Sequence, residues 1–381
     1  MGDSSRLGRI ATANSRTDEV LLSAKSSGGS VSRYLLIDVG AGTQDILWWD
    51  DEQELHYKAV VSSPVRRVAA LAASLPKGRP LLVTGREMGG GPITRVLKER
   101  AKESPVFITK SAAATLHHNE ERVKAMGIQI VEDGVEPCED HLQLRLSDID
   151  GSEIEKVVTS FGVDFDFDFV AVCAQDHGVP PPGISHLVYR QDQFVKTLTE
   201  TPFPHELLYR LDEIEPTWNR LRSMSLDAKE LPTKEVYVMD SGMAAILGAT
   251  HDRSCVDRSY CAVLDVATSH TVGAIFNQQE LLGIFEVHTK DLQVEQLDEL
   301  LPALAKGEVD NEAVLQQGGH GAWSRGTAPF EEIGPVVATG PQRRRVKNSK
   351  LEISWGAPMG DNMMTGTTGL LSALRRRQGF D

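Results

Sequence analysis

The chain has 381 residues, 40% of them hydrophobic and 25% charged, ordinary values for a soluble globular protein with two or three compact units. Its 40 Lys+Arg against 54 Asp+Glu leave a formal net charge of -14, which opposes nonspecific attraction to nucleic acid or anionic lipid. With no apolar run as long as the ~18–20 residues of a membrane-spanning helix, neither nucleic acid nor a membrane is expected as a partner. Cys138, Cys173, Cys255 and Cys261 include no Cys-x-x-Cys pair, so reduced thiols in a cytoplasmic protein are expected.

Residues 1–32, rich in Ser, Gly, Thr and Arg, read as a disordered tail. Tyr34–Asp38 reads as a buried strand, a glycine turn follows, and Ile46–Trp49 and His56–Val61 complete a strand–turn–strand start. The pattern then predicts a helix over Val65–Ser74, a strand over Leu81–Thr84 ended by Gly85, and a helix from Pro92 to Lys102. A strand over Val106–Thr109, a helix over Ala112–Ala125 and a strand over Val170–Cys173 come next. Residues 178–232 break the rhythm. Pro180-Pro181-Pro182-Gly183 reads as a linker, and Phe194–Arg222 reads as mostly helical, an inserted subdomain or lid. Alternation resumes with a strand over Val236–Met239, a helix over Met243–Ala249 and strands near Ala262–Val266, Thr271–Asn277 and Leu281–Val287. A helix over Leu292–Ala305, a strand over Val336–Ala338 and a last helix over Asp361–Arg377 end the chain. Alternating strands and helices argue for an α/β fold. Each half opens on a strand–turn–strand unit, which suggests a first lobe over 33–180, a linker and helical insertion over 181–232, and a second lobe over 233–381.

The strongest chemical signal is Asp38-Val39-Gly40-Ala41-Gly42-Thr43-Gln44-Asp45. Gly40 and Gly42 let backbone N–H groups approach phosphate oxygens without a Cβ in the way, Thr43 adds a hydroxyl, and Asp38 and Asp45 supply two carboxylates. Asp38 is the expected holder of Mg²⁺, through water, because that ion keeps part of its hydration shell. The competing reading is an ordinary tight hairpin whose Asp and Thr cap turns. Gly89-Gly90-Gly91 before a helix reads either as a set of anion-binding amides or as a flexible loop.

The segment LLIDVGAGTQDILWWD resembles a phosphate motif of the actin, sugar kinase and Hsp70 superfamily, with Ala41 in place of the middle glycine. That resemblance implies two ribonuclease-H-like lobes closing over ATP, or another nucleoside triphosphate, and Mg²⁺. YCAVLDVATSHTVGAIF is similar to the second phosphate hairpin, which would place Asp265, His270 and Thr271 at the phosphates, although Ala267 and Ser269 stand where glycines belong. PVVATGPQRR resembles the adenosine loop and would place Gly340 at the nucleotide. The helix opened by GAPMGDNMMTGTTGLL resembles the second connecting helix, with small residues at a hinge. Either Gln175–Gly178 or VYVMDSGMAAILGA can be the first connecting segment. The stretch from 34 to 378 also resembles a narrower prokaryotic family often labelled pyruvate formate-lyase activating-like, through DVGAGTQDIL, AQDHG, the GGHGA segment, SHTVGAIF and GDNMMTGTTGLL. A radical S-adenosylmethionine activase needs three closely spaced cysteines, which this sequence lacks, so that chemistry is not expected.

His177, His270 and His320 each sit beside glycine or a turn, where the superfamily brings loops to the cleft. They can contact phosphate, act as a general base, bind a transition metal with Asp176 or Asp361, or satisfy their own loops. Asp265 is the best candidate, beside Asp38, for a catalytic carboxylate, orienting a water or an acceptor hydroxyl; the alternative is a turn cap. The expected function is an ATP-binding switch or weak ATPase, with a protein client as a possible partner and the helical 190–225 region as its docking surface. A small-molecule kinase and a non-catalytic scaffold with a degenerate cleft are the alternatives.

Overall fold

The computed structural model describes residues 32–181 and 183–380, so the expected tail over 1–32 lies outside them apart from Ser32. The chain first lays down β1 (Arg33–Val39), β2 (Thr43–Asp50) and β3 (Leu55–Ser62) as an antiparallel meander. It leaves that sheet to build a small parallel one from β4 (Leu81–Gly85), β5 (Val106–Thr109), β6 (Gln129–Val131) and β7 (Leu142–Leu146), in the order β6-β5-β4-β7. Then β8 (Phe167–Ala174) and β9 (Thr233–Asp240) join β1 in parallel and complete the first sheet, β3-β2-β1-β8-β9. The same plan recurs in β10 (Tyr260–Val266), β11 (His270–Asn277) and β12 (Glu280–His288), another antiparallel meander. An edge strand β13 (Gly321–Ser324) extends it, and β14 (Val336–Thr339) and β15 (Ile353–Trp355) add in parallel beyond β10, giving β13-β12-β11-β10-β14-β15. With the edge strand β13 set aside, the two sheets share the order third, second, first, fourth, fifth, with the same pattern of directions. These are the two ribonuclease-H-like lobes.

Burial explains why the central strands read as unbroken apolar runs. Tyr34, Leu35, Leu36 and Ile37 of β1 are all fully buried, as a strand covered on both faces must be. One core runs continuously from the first sheet into the inner face of the second, joining Leu36, Val172 and Val238 to Val263, Val272 and Phe276. The helices Ser241–Ala249 and Thr365–Arg377 pack together within this core and cross backbone to backbone. A Cβ on Gly248 would overlap the Thr365 carbonyl oxygen, and one on Gly369 would overlap that of Ala244. The first of these helices follows β9 directly and leads to β10, so VYVMDSGMAAILGA is the connecting segment and Gln175–Gly178 is not.

Several expectations change. Thr233–Asp240, expected to open the second lobe, is the fifth strand of the first sheet, because its backbone pairs in parallel with β8 along its length. The helix expected over Ala112–Ala125 is two short ones, Lys110–Ala113 and Glu120–Lys124. Between them Asn119 caps the second through Glu121 N (2.9 Å), and His117 Nδ1 accepts from Asn119 N (2.8 Å), side-chain bonds that compete with helix continuation. The Phe194–Arg222 helix is likewise interrupted. His186–Glu200 and Asn219–Ala228 flank a segment containing Pro202, Pro204 and Pro216, and proline removes the N–H a helix needs. Arg190, Phe194, Leu198, Leu221 and Met224 of these two helices are buried, so much of the supposed docking surface is interior.

Candidate functional site

The two hairpins place their aspartates equivalently. Asp38 is the penultimate residue of β1 and Asp265 of β10. In register, Asp38 faces Asp45 across the first hairpin and Asp265 faces Val272 across the second. On the other side Asp38 neighbours Cys173 of β8, and Asp265 neighbours Thr339 of β14. Each neighbour bonds its aspartate: the Cys173 thiol donates to Asp38, and Thr339 Oγ1 donates to Asp265 Oδ1 at 2.9 Å.

The turns beyond these strands converge. In the first, Gly40 N donates to Thr43 O (3.0 Å), while Ser63 donates through its Oγ to Gly40 O (2.6 Å) and through its N to Gly42 O (3.2 Å). Ser63 also caps the helix Pro64–Ser74, so one residue fixes both the turn and the helix behind it. In the second, Ala267 N donates to His270 O (3.1 Å), and Thr289 donates to Ala267 O (2.9 Å) and Ser269 O (2.9 Å). A Cβ on Gly42 would meet Thr268 Oγ1 at 3.1 Å, so the two turns nearly touch. Gly340 seals a third side. Its φ of +84° is in the region glycine favours, and a Cβ there would lie 2.6 Å from Val266 O and 2.9 Å from Asp265 Oδ1.

Together these elements enclose a cavity of about 170 Å³. Gly40, Ala41 and Thr43 line it from one turn and Ala267, Thr268, Ser269 and His270 from the other. Gly340, the Ser241-Gly242 start of the first crossing helix and the Thr365-Gly366 start of the second also line it. The approach of Gly366 is close enough that a Cβ would overlap Asp38 Oδ2. Asp38, Asp45, Asp265 and Glu286 give the cavity its charge. Arg190 and Arg220 are the cationic side chains among its described lining residues, and both are committed elsewhere. Arg220 binds Asp148 (2.8 and 3.1 Å) and the Gln175 carbonyl (2.8 Å).

This crowding of acids shows in their protonation. Asp38 keeps some surface toward the cavity but has protein on all sides. Burial, only partly offset by the Cys173 thiol, and then the charges of Asp265 and Asp240 push it up to about 7. Burial and the charge of Asp38 push Asp45 up to about 8. Burial alone, opposed by the Thr339 hydroxyl, raises Asp265 to about 6. Asp45 Oδ1 is buried without a hydrogen-bond partner. A divalent cation would satisfy an orphaned carboxylate oxygen and the neighbouring acids together, so the donor set fits Mg²⁺.

The pH dependence of stability follows. An acid raised on folding stabilises the fold below its unfolded pKa and withdraws that stability as pH rises through the folded value. Buried and pushed down from 6.5 to about 4, His270 and His320 act the other way: their contribution is complete above 6.5 and is lost as pH falls toward 4. The two sets oppose each other between pH 4 and 6.5, and above 6.5 Asp38 and Asp45 of these groups still titrate. Thermal stability in chelator should therefore fall from pH 6.5 to 8, and Asp45→Asn should flatten that fall. A wild-type profile without the decline would contradict the buried-acid account.

Other expected site residues fall elsewhere. Asp176 accepts from Gly178 N (2.8 Å) and Leu221 N (2.9 Å), so it caps local structure outside the cavity. Asp361 accepts from Met363 N (2.9 Å) ahead of the last helix and does not line the cavity. Thr271 is fully buried, its hydroxyl 3.0 Å from that of Thr289, and so is turned away from any phosphate. His177 and His320 lie beside His270 rather than on the cavity wall. Sequence reasoning passed over Arg190, whose Nη2 binds Asp240 (2.9 and 2.8 Å) and whose Nη1 binds Glu286. It ties the end of β9 in one lobe to β12 in the other. Burial would raise Glu286, but the Arg190 charge outweighs it and holds the carboxylate at about 2. A polar run of the kind surrounding Arg190 in YRQDQ gives no sign of such burial.

Two ribonuclease-H-like lobes with facing hairpin turns and a shared acidic cavity define a protein of the actin-like ATPase fold. The family described as "Putative pyruvate format-lyase activating enzyme (DUF1786)" matches residues 88–345, more than half of the chain, and the chain belongs to that family. Among solved structures it is similar to a Bacteroides thetaiotaomicron protein with actin-like ATPase fold and unknown function (9% identity, 83% of this chain and 86% of that one, TM-score 0.31). It is also similar to a chain of a PilM-PilN type IV pilus biogenesis complex (11% identity, 90% and 98%, TM-score 0.34). A third similarity is to an exopolyphosphatase from Cytophaga hutchinsonii (10% identity, 90% and 90%, TM-score 0.30). No curated protein matches. The fold rests on the strand order rather than on these likenesses. Among the described residues no helix is long and apolar enough to cross a membrane.

Proposed function

We propose that the cavity binds the phosphates of ATP or another nucleoside triphosphate together with Mg²⁺, and that the protein is a nucleotide-dependent switch or weak ATPase. One observation carries this reading: two structurally equivalent Asp-bearing hairpins present their turns to each other across a single acidic cavity. Asp38, through water, and Asp45 would hold the ion. Bound there, Mg²⁺ neutralises charge on the phosphate oxygens. Its presence is needed because both lining arginines are already paired, leaving the cavity net acidic. Backbone amides of the two turns face the phosphate oxygens. Asp265, raised by burial to about 6 and so mostly ionised at neutral pH, orients a water and accepts its proton. A volume of about 170 Å³ is below the ~300–1,000 Å³ of pockets for whole ligands. It suits phosphates and a hydrated ion, so a complete nucleotide enters as the lobes part, which couples binding to conformation.

Asp38→Asn tests this without changing side-chain volume. The variant should bind ATP with Mg²⁺ at least about tenfold more weakly, a loss of ~1.4 kcal/mol, by calorimetric titration. It should also melt higher than wild type without ligand at pH 8, because a buried acid has been removed. Unchanged affinity would end the proposal.

A small-molecule kinase is the second reading, and one feature favours it. A neighbouring cavity of about 500 Å³, lined by Gly89–Gly91, His117, His118, His177 and His186, shares Gly89, Gln175 and Arg220 with the first. Such a space suits an acceptor molecule beside the phosphates. Turnover of ATP stimulated by an added metabolite, and abolished in Asp265→Asn with ATP binding retained, would favour transfer over hydrolysis.

A further inference from the structure

We propose that His270, His288 and His320 form a binding site for a first-row transition ion, zinc by its chemistry, beside the phosphate cavity and distinct from the Mg²⁺ position. Each of the three offers a ring nitrogen within 4.8 Å of the others. They come from one end of the second sheet: His270 and His288 are direct partners across β11 and β12, and His320 immediately precedes β13. Sheet backbone positions all three, because His320 N donates to Glu286 O (2.8 Å) as β13 joins β12. A site built on strands holds its ligands more tightly than one built on loops.

The geometry is that of imidazole ligands rather than of a stacked core. The Nε2 atoms of His320 and His288 lie 3.4 Å apart, and a tetrahedral ion with Zn–N bonds of ~2.0–2.1 Å separates its ligand nitrogens by about 3.3–3.4 Å. Ring centroids are 4.9 Å (His270–His288), 4.4 Å (His270–His320) and 4.6 Å (His288–His320), with the second and third pairs edge-on. The ring nitrogen that His270 turns to the cluster, Nε2, is buried without a hydrogen-bond partner, and His320 is 1% exposed. The surroundings supply the supporting groups that metal-bound histidines use. Glu286 Oε1 is 3.4 Å from His320 Nδ1, and its carboxylate is fixed by Arg190 and by Gln175 Nε2 (2.6 Å). Ser269 Oγ is 2.9 Å from His270 Nδ1.

The ligand set differs from the one the sequence suggested, since Asp176 and Asp361 are engaged elsewhere and His288 replaces them. Three histidines leave a fourth position to water or a substrate oxygen. His177, from the other lobe, lies beside the cluster, its ring 5.8 Å from that of His320 and 6.0 Å from that of His270. His270 also lines the phosphate cavity, so an ion here and the phosphates would share a wall.

Untagged full-length protein, stripped with chelator and free of nucleotide, should bind one Co²⁺ per chain with visible absorption typical of four- or five-coordinate cobalt, and Zn²⁺ should displace it. His288→Gln, at a half-buried position, and His320→Gln should each weaken binding at least tenfold, while His118→Gln leaves it unchanged. Asp38→Asn should keep the cobalt site, which separates failure of this proposal from failure of the nucleotide reading. Absence of a stoichiometric ion in wild type, or full affinity in both glutamine variants, would overturn it and leave a hydrogen-bonded histidine cluster only.

Discussion

Arg190→Met should destabilise the protein by about 3–5 kcal/mol at pH 7, because it strips the cation from two buried carboxylates at once. Arg190 is 2% exposed, Asp240 3% and Glu286 5%, so water cannot take its place. Methionine keeps most of the stem that packs near the Phe194 ring, over which the guanidinium carbon lies 4.6 Å from the centroid. The loss then reports charge more than volume. The sign of its pH dependence is set by Glu286, held at about 2 against an ordinary 4.5. An acid depressed in this way contributes stability that is complete above 4.5 and lost as pH falls toward 2. The deficit of the variant should therefore be full at pH 7 and shrink below about 4.5. Adding Asp240→Asn and Glu286→Gln should recover part of it in urea denaturation. A deficit under about 1 kcal/mol, the scale of an exposed ion pair, would mean that the interlobe bridge is not formed in solution.

Gly369→Ala is expected to cost at least ~1–3 kcal/mol, the usual range for overpacking, although it adds a single methyl group in a helix where alanine is otherwise preferred. Intrinsic propensity favours the substitution by up to ~1 kcal/mol. Contact decides the outcome the other way, since the new Cβ would overlap the Ala244 carbonyl oxygen and neither helix backbone can yield locally. The helices must separate, and both line the phosphate cavity through their first turns. Ser372→Ala, one turn further along the same helix, is the control. Its hydroxyl is buried without a hydrogen-bond partner, so losing it should cost nothing or stabilise. Equal urea midpoints for Gly369→Ala and wild type would show that the crossing is looser than it looks.

Much of the cleft was legible because its signals are local. The first hairpin announces itself in Asp38-Val39-Gly40-Ala41-Gly42-Thr43, where strand, turn and carboxylate occupy adjacent positions. The second was legible despite Ala267 and Ser269, because Asp265 sits at a strand end as Asp38 does. The turn still closes to within contact of Gly42 without those glycines, so close approach here depends on the lobe arrangement and not on small side chains. Gly340 was legible as a glycine after a strand, but only its approach to Asp265 and Val266 shows why no other residue fits.

The amino-acid sequence by itself determined the α/β alternation, the two hairpins and the carboxylates at their tips, since each depends on neighbours within a dozen residues. Tertiary structure alone decided which sheet β9 joins, where Arg190 finds its two acids 50 and 96 residues away, and that His288 belongs with His270 and His320. The reason is physical. A strand's sheet membership, an ion pair's partner and a metal's ligand set are fixed by packing free energy between distant segments, and no local pattern of side chains carries that information.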